Sequence, residues 1–440
     1  MLSVEENELM TDISPGTPMG NLVRRYWIPV MLSEELPEPD GNPMRVRLLC
    51  EDLVIFRDSS GRVGLLPERC PHRRASLYLG RNEEDGLRCI YHGWKFDITG
   101  RCVDMPNEPE VSTFKEKIRP SAYPCQEAAG VIWAYMGPRA EPPPLPHFEW
   151  MDMPPEQRQM APFHRGCNWV QALEGDIDTS HSGFLHGVLE RRADAVHTWR
   201  KEHPPLLDVV TTRYGMMYGG RYGDIDPGQS ENGAPSTYWR VSNFLFPFYT
   251  FFPSRPNGLV PGHIWVPQDN HNTMVWTIGW NPVQALEQSG PWRARSGAMV
   301  GEYEPASADG MGRWRPKANW YNDYHQDREL QRTDTFTGIP TIPLQDQAVT
   351  ETMGSITDRS HEHLGQSDAA IIRMRRRLLG AVKALRDDDV EPPCVDTPDW
   401  YHIRSASGTM PADADWIEEL GDWMDARTLE IPGVGLPSPV

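Results

Sequence analysis

No uninterrupted apolar run approaches the roughly eighteen residues that a membrane-crossing helix needs. The first ten residues, M-L-S-V-E-E-N-E-L-M, lack the basic stretch and apolar core of a secretory signal. Both absences predict a cytoplasmic protein with no membrane partner. Positive charge is also scarce. The chain has 43 Lys and Arg against 62 Asp and Glu, a formal charge of −19, which argues against nucleic acid or an anionic lipid surface as a partner and leaves a small molecule. Seven cysteines in 440 residues are too few for a disulfide framework, and an odd number leaves at least one unpaired. Thiols in a reducing compartment are the expectation. Finally, no G-x-G-x-x-G follows a strand-like run, so the chain has no loop of the kind that binds a dinucleotide.

What the sequence has in excess is proline and tryptophan, 42 and 16 residues. Proline favours irregular connections and edge strands over long helices, so an α+β chain rich in loops is expected. Its length allows roughly two to three domains. Residues 1–42 read as an N-terminal arm, with a short helical pattern interrupted by S-P-G-T-P-M-G. Residues 43–140 alternate short β-type runs with turn signals and predict a small strand-built domain. Residues 141–162, with P-P-P-L-P and M-P-P-E, read as a proline-rich connector. Residues 163–440 form the rest: a helix over 166–187, strands at Leu206–Tyr218, Tyr238–Phe252, His263–Val266 and Thr273–Trp280, and an amphipathic helix over 367–386.

Two loops of the small domain carry the first constellation. C-P-H places Cys70 beside His72, and C-I-Y-H-G-W places Cys89 beside His92, with sixteen residues between the two pairs. Thiolate and imidazole bind zinc, copper and iron. A structural zinc clip is one reading. Zinc fingers, however, present their cysteines on one element and their histidines on another, whereas here each loop gives one of each. That pairing suits a [2Fe–2S] cluster in which Cys70 and Cys89 hold one iron and His72 and His92 the other.

The second constellation lies in E-G-D-I-D-T-S-H-S-G-F-L-H, where Asp178, His181 and His186 follow a D-x2-H-x4-H spacing. On an ideal helix the two histidines would stand about 140° apart, so sharing a metal requires a break or a π-type bulge, for which Gly183 is the expected place. Two histidines and a carboxylate on one face of an iron leave positions open for dioxygen and substrate. The carboxylate must come from elsewhere. The stretch P-L-Q-D-Q-A-V-T-E-T-M-G supplies Asp346, with Glu351, Asp358 and Glu362 as competitors.

With C-P-H-R, C-x-Y-H-G-W-x-F-D, the E-G-x-I-D-x-x-H core and the late Q-D-Q-A-V-T-E-T-M-G, the chain resembles the α-subunits of Rieske non-heme iron oxygenases, within them the phthalate dioxygenase branch. The resemblance implies a small all-β Rieske domain followed by a helix-grip (START-like) catalytic domain, an antiparallel sheet covered by helices. It implies that Asp346, opening a D-x4-E pattern on a late helix, completes the iron site with His181 and His186. It also implies that Asp178 links the iron site to His72 or His92 of a neighbouring subunit. Electrons would come from NADH through a separate flavin and iron–sulfur reductase, and the assembly would be a homotrimer or hexamer. The substrate would be a small aromatic compound, oxidised with O2 by ring hydroxylation, O-demethylation or ether cleavage.

An aromatic acid needs a cation, and arginine provides a bidentate one. Arg191, Arg192, Arg213, Arg221 and Arg240 are the candidates, although none matches the carboxylate-binding arginines of phthalate dioxygenases. Leu207 and Phe244 stand where the resemblance leads one to expect a cation. Two other function classes remain: an electron carrier with two irons per chain, and a colourless binding protein clipped by zinc. Metal analysis with a visible spectrum separates them.

Overall fold

A computed structural model describes residues 2–189, 205–225, 235–254, 258–286 and 301–426, with 223–225 as backbone only. In the small part, Met44–Leu48, Glu51–Arg57 and Val63–Pro67 form one antiparallel sheet, and Arg81–Glu83, Gly86–Arg88, Lys95–Phe96 and Cys102–Asp104 another. A third sheet joins Trp27–Leu32, Val131–Tyr135 and Cys125–Ala128. Residues 27–32, read in the sequence as part of the arm, are therefore a strand. The cause is their partner: Val131–Tyr135 is buried along its whole length, so both of its edges need a strand to satisfy the backbone. Val54, Phe56, Leu66, Leu77, Leu87, Trp94 and Phe96 pack around Cys70 and Cys89 in a core of their own.

The large part is built on an eight-stranded antiparallel sheet. Its order runs Arg158–Arg165, Asn272–Trp280, Val260–Asp269, Tyr249–Phe251, Ser236–Leu245, Gly215–Ile225, Leu206–Thr211, with Ala406–Pro411 also pairing with Ser236–Leu245. Two expected strands are in fact hairpins. Leu206–Tyr218 turns between Thr211 and Gly215, where the glycine has φ +152° and a Cβ would meet Phe244 O at 2.2 Å. Tyr238–Phe252 breaks at Phe246-Pro247, since proline brings no N–H to a ladder.

Helices cover this sheet. Trp169–Ile177, capped by the Asn168 side chain, lies against the strands Tyr249–Phe251, Val260–Asp269 and Asn272–Trp280. Beside it run Ile342–Thr352 and Ala369–Asp388. The last matches the expected amphipathic helix, burying Ile371, Met374, Leu378, Leu379, Val382 and Leu385. Glu174 fastens its own helix to Ala369–Asp388 and to the turn Arg359–His361. Buried on the Trp169–Ile177 helix, it pairs with Arg359 at 2.8 Å and with Arg375 at 2.6 Å, and Arg375 also holds Glu362. Among the described residues no helix is long and apolar enough to cross a membrane.

Candidate functional site: two iron centres

Each Cys-His loop is closed by its own backbone. Cys70 N–H donates to Ala75 O and Arg74 N–H to Cys70 O; likewise Cys89 N–H donates to Trp94 O and Gly93 N–H to Cys89 O. Gly93 has φ +76°, and a Cβ there would stand 2.6 Å from Pro106 Cγ, so the second loop requires glycine. The loops meet so that the rings of His72 and His92 lie 4.3 Å apart, while His72 stacks on Trp94 at 4.4 Å. Both thiols are buried. Nδ1 of His72 and Nδ1 of His92 are also buried, and neither has a hydrogen-bond partner. Burial and the neighbouring Cys89 sulfur push the Cys70 thiol up to about 11. Two thiolates side by side here require a cationic centre to keep them ionised. Two buried sulfurs and two orphaned imidazole nitrogens are the donor set of a Rieske cluster.

The second centre forms where the Trp169–Ile177 helix ends. Asp178 is already extended, at φ −64° and ψ 120°, and a single turn, His181–Gly183, follows. The expected helix over 166–187 therefore stops before the first histidine, and that stop, not a bulge at Gly183, brings the rings together. His181 Nε2 and His186 Nε2 are 3.1 Å apart. Asp346, on the Ile342–Thr352 helix, places Oδ1 at 3.6 Å from the first and 3.3 Å from the second. Metal bonds of about 2.1 Å put three facial ligand atoms roughly 3 Å apart, so the triangle fits one ion. Burial acts to raise the Asp346 pKa, yet the two imidazoles outweigh it and hold the carboxyl below its ordinary range.

The other ring nitrogens are oriented away from this point. Nδ1 of His186 is 2.7 Å from Gln345 Oε1, and the Gln345 amide nitrogen in turn donates to Ile339 O. Nδ1 of His181 faces Asp178 Oδ2 at 3.5 Å. A proton on each Nδ1 leaves each Nε2 lone pair for metal. The competing carboxylates have other partners: Glu351 accepts from Gly166 N–H, Tyr324 and Gln347, Asp358 caps a turn, and Glu362 pairs with Arg375.

Beneath the triad, alternate residues of the sheet face the Trp169–Ile177 helix. Asp176 on that helix takes the Thr250 hydroxyl and lies 3.1 Å from His263 Nδ1, and Trp265 Nε1 donates to Thr250 Oγ1. Tyr222 on the same face reaches Thr179 O at 3.2 Å.

Two family models divide the chain between them: the Rieske [2Fe-2S] domain matches residues 26–115 and a domain described as LigXa C-terminal domain like matches 134–428. The chain is 40% identical over 433 residues to the 3-chlorobenzoate-3,4-dioxygenase oxygenase subunit of Comamonas testosteroni, spanning 94% of this chain and 97% of that protein. It is 39% identical to the phthalate 4,5-dioxygenase oxygenase subunit of Pseudomonas putida, over 94% of each. The chain belongs to the Rieske non-heme iron oxygenases. A crystal structure of dicamba monooxygenase shares the fold, with TM-score 0.58 and 19% identity over 83% of this chain and 99% of that one.

As a Rieske oxygenase, the protein carries a [2Fe–2S] cluster and a mononuclear iron and draws electrons from a separate protein. The small all-β domain and the helix-covered antiparallel sheet are as expected for this family. The structure does not bring the candidate arginines together. Arg213 is exposed in a hairpin turn over Trp400, and Arg221 pairs with Trp239 on the sheet face opposite Tyr222. Arg240 lies on the site face, its guanidinium 5.8 Å from the Tyr222 ring centroid. Phe244, also on that face, is fully buried. Arg191 and Arg192 lie outside the described residues.

Arg165 is the residue that sequence reasoning passed over. It ends the Arg158–Arg165 strand on the site face, is 2% exposed, and lies 5.1 Å from the Trp265 ring centroid. Among the described residues no carboxylate pairs with it, and its buried Nε has no partner. Periodicity gives a hint. Phe163 and Arg165 alternate with His164 in a strand, so an Arg follows an apolar residue onto the inner face.

Proposed function

We propose that Cys70, Cys89, His72 and His92 hold the cluster, that His181, His186 and Asp346 hold the mononuclear iron, and that the enzyme oxidises a small aromatic carboxylic acid by adding dioxygen to its ring. The observation that carries this reading is the 3.1–3.6 Å triangle of His181, His186 and Asp346 beside a sheet face rich in aromatic side chains. Bound there, iron supplies the activation of O2 with electrons drawn from the cluster. The chain's own residues do the rest. Gln345 and Asp178 keep the Nδ1 protons of the two histidines in place. Trp265, Tyr222 and Phe244 give the ring a flat apolar wall, and Arg165 and Arg240 supply the positive charge that an aromatic carboxylate needs.

Arg165 is the stronger anchor of the two. A buried guanidinium without a carboxylate is costly, and a substrate anion would complete it. Both dioxygenase relatives named above are named for aromatic acids.

Asp178 is the proposed link to the cluster of a neighbouring subunit in a trimer or stacked trimer. Its Oδ2 faces His181, while Oδ1 accepts the backbone N–H and hydroxyl of Ser180, both at 2.7 Å. Contact with a neighbour's histidine would exchange the Ser180 hydroxyl for an imidazole N–H. The electron source is an NADH-dependent flavin and iron–sulfur reductase. The seven free cysteines suit a cytoplasmic enzyme.

The test is turnover with such a reductase on a panel of aromatic acids and methoxylated aromatics under labelled dioxygen. Both labelled atoms in a cis-diol are expected. Formaldehyde with a phenol would place the chemistry at an O-methyl carbon instead, and no substrate-stimulated oxygen uptake on any acid would overturn the reading.

A further inference from the structure

A second cluster of metal-binding side chains lies outside both iron centres. His147, Asp152 and His402 each bring one ligand atom within 4.8 Å of the others. His147 belongs to the proline-rich connector, Asp152 ends the short helix Glu149–Asp152, and His402 follows the turn Pro398–Tyr401 near the other end of the chain. The backbone already joins these segments, since His147 N–H donates to Pro398 O at 3.2 Å.

An ordinary ion-pair network accounts for His147 alone. Its Nε2 is 2.7 Å from Asp152 Oδ2 and its Nδ1 is 2.9 Å from Asp399 Oδ1. It does not account for His402. That residue is only 7% exposed, its Nδ1 is buried without a partner, and its Nε2 stands 3.7 Å from Asp152 Oδ2, beyond hydrogen-bonding reach. His402 Nε2 has no hydrogen-bond partner among the described residues, and a metal ion between it and Asp152 would supply one, with the ring proton on Nδ1. His147 is also prepared as a ligand. Asp399 fixes its Nδ1 proton and so directs Nε2 towards Asp152, the carboxylate–histidine–metal arrangement.

We propose that His147 Nε2, His402 Nε2 and the Asp152 carboxylate bind a divalent transition metal ion of the zinc type, with water in a fourth position. Two imidazoles and one carboxylate are a donor set that zinc accepts. Tetrahedral bonds of about 2.1 Å place ligand atoms roughly 3.4 Å apart. The present separations of 2.7 and 3.7 Å bracket that value, and the Asp152 side chain, 53% exposed, has room to adjust. The ion is a clip: it fastens the connector that follows the small domain to the segment 398–402 of the large one, and it takes no part in electron transfer.

The test titrates zinc chloride into the purified enzyme, with cluster and iron in place, by calorimetry. Zinc and iron are counted by mass spectrometry before and after. One zinc per chain beyond the iron is expected, with a micromolar Kd and no loss of iron. His147→Gln and Asp152→Asn, both at partly exposed positions that spare the fold, should each weaken it tenfold or more. Three results overturn the site: no zinc beyond background, zinc gained only as iron is lost, or equal affinity in wild type and both variants. His402→Gln should also lose the ion; because that side chain is buried, the two exposed variants decide the outcome.

Discussion

Gln345 and Asp346 are neighbours on one helix, and they are expected to act on the iron differently. Asp346→Ala removes a ligand, and iron should fall from three per chain to the two of the cluster, with the visible spectrum unchanged. Gln345→Ala leaves all three ligands but frees the Nδ1 proton of His186, which Gln345 holds at 2.7 Å. Losing a partner that orients a ligand costs about 10–100-fold in metal affinity. An iron titration under anaerobic conditions checks both, and an unweakened Gln345→Ala would leave the amide without that role. For the substrate anchors, Arg165→Met should raise KM for an aromatic acid about tenfold or more, the worth of a charged hydrogen bond. No carboxylate lies within ion-pair distance of Arg165, although its charge helps to hold the Asp346 carboxyl low, so the thermal midpoint should change little. A fall in that midpoint with unchanged KM would make Arg165 a structural residue. Arg240→Leu should raise KM less, since Arg240 is half-buried and rests on Tyr222.

At the scale of elements, the iron site depends on where the Trp169–Ile177 helix stops and how firmly it is held. Glu174 bears that load with Arg359 and Arg375. Burial acts to raise its pKa, but the two guanidiniums outweigh it and hold the carboxyl below its ordinary 4.5. A carboxylate with a depressed folded pKa contributes stability that is fully present above about 4.5 and is lost as pH falls through the folded value. Glu174→Gln should therefore cost about 3–5 kcal/mol at pH 7, the range for breaking a buried pair. Urea unfolding should show a smaller gap between variant and wild type at pH 4; a gap that does not change with pH would mean that Glu174 is not ionised in the fold. The ligand residues themselves were legible in the sequence because metal chemistry restricts both residue type and spacing. Asp178, His181 and His186 stand out in any reading of their segment. The helix end just before them did not, since Asp and Ser in I-D-T-S-H are also met inside helices; the stop comes with the short-range Asp178–Ser180 hydrogen bonds, which only the structure shows to form. The roles of Arg165 and Gln345 were illegible for another reason, although strand alternation does put Arg165 on the inner face. Their roles lie in what packs against them across the sheet or helix, and a lone Arg or Gln carries no spacing that announces it.

At the scale of the whole molecule, the two centres sit in different parts of the chain, and the proposal that Asp178 receives electrons from a neighbour makes each active unit span two chains. This follows if the subunits form a closed ring with head-to-tail contacts. Two inactive variants then separate the possibilities. Cys70→Ser lacks the cluster but keeps the iron site; Asp346→Ala lacks the iron but keeps the cluster. Co-expressed with different tags and purified through both, they give rings that contain both kinds of chain. With transfer inside a chain, every such ring is inactive, because no chain has both centres. With transfer between chains, each contact that passes from a clustered chain to an iron-bearing one is active, roughly one contact in three in any trimer that carries both tags. Coupled oxygen uptake near a third of the wild-type value per chain in doubly tagged trimers, roughly one active contact in three, absent from each variant alone and absent when the two are mixed without exchanging subunits, is the expected result. Activity at background in the doubly tagged rings would confine electron transfer to single chains and remove the bridging role from Asp178.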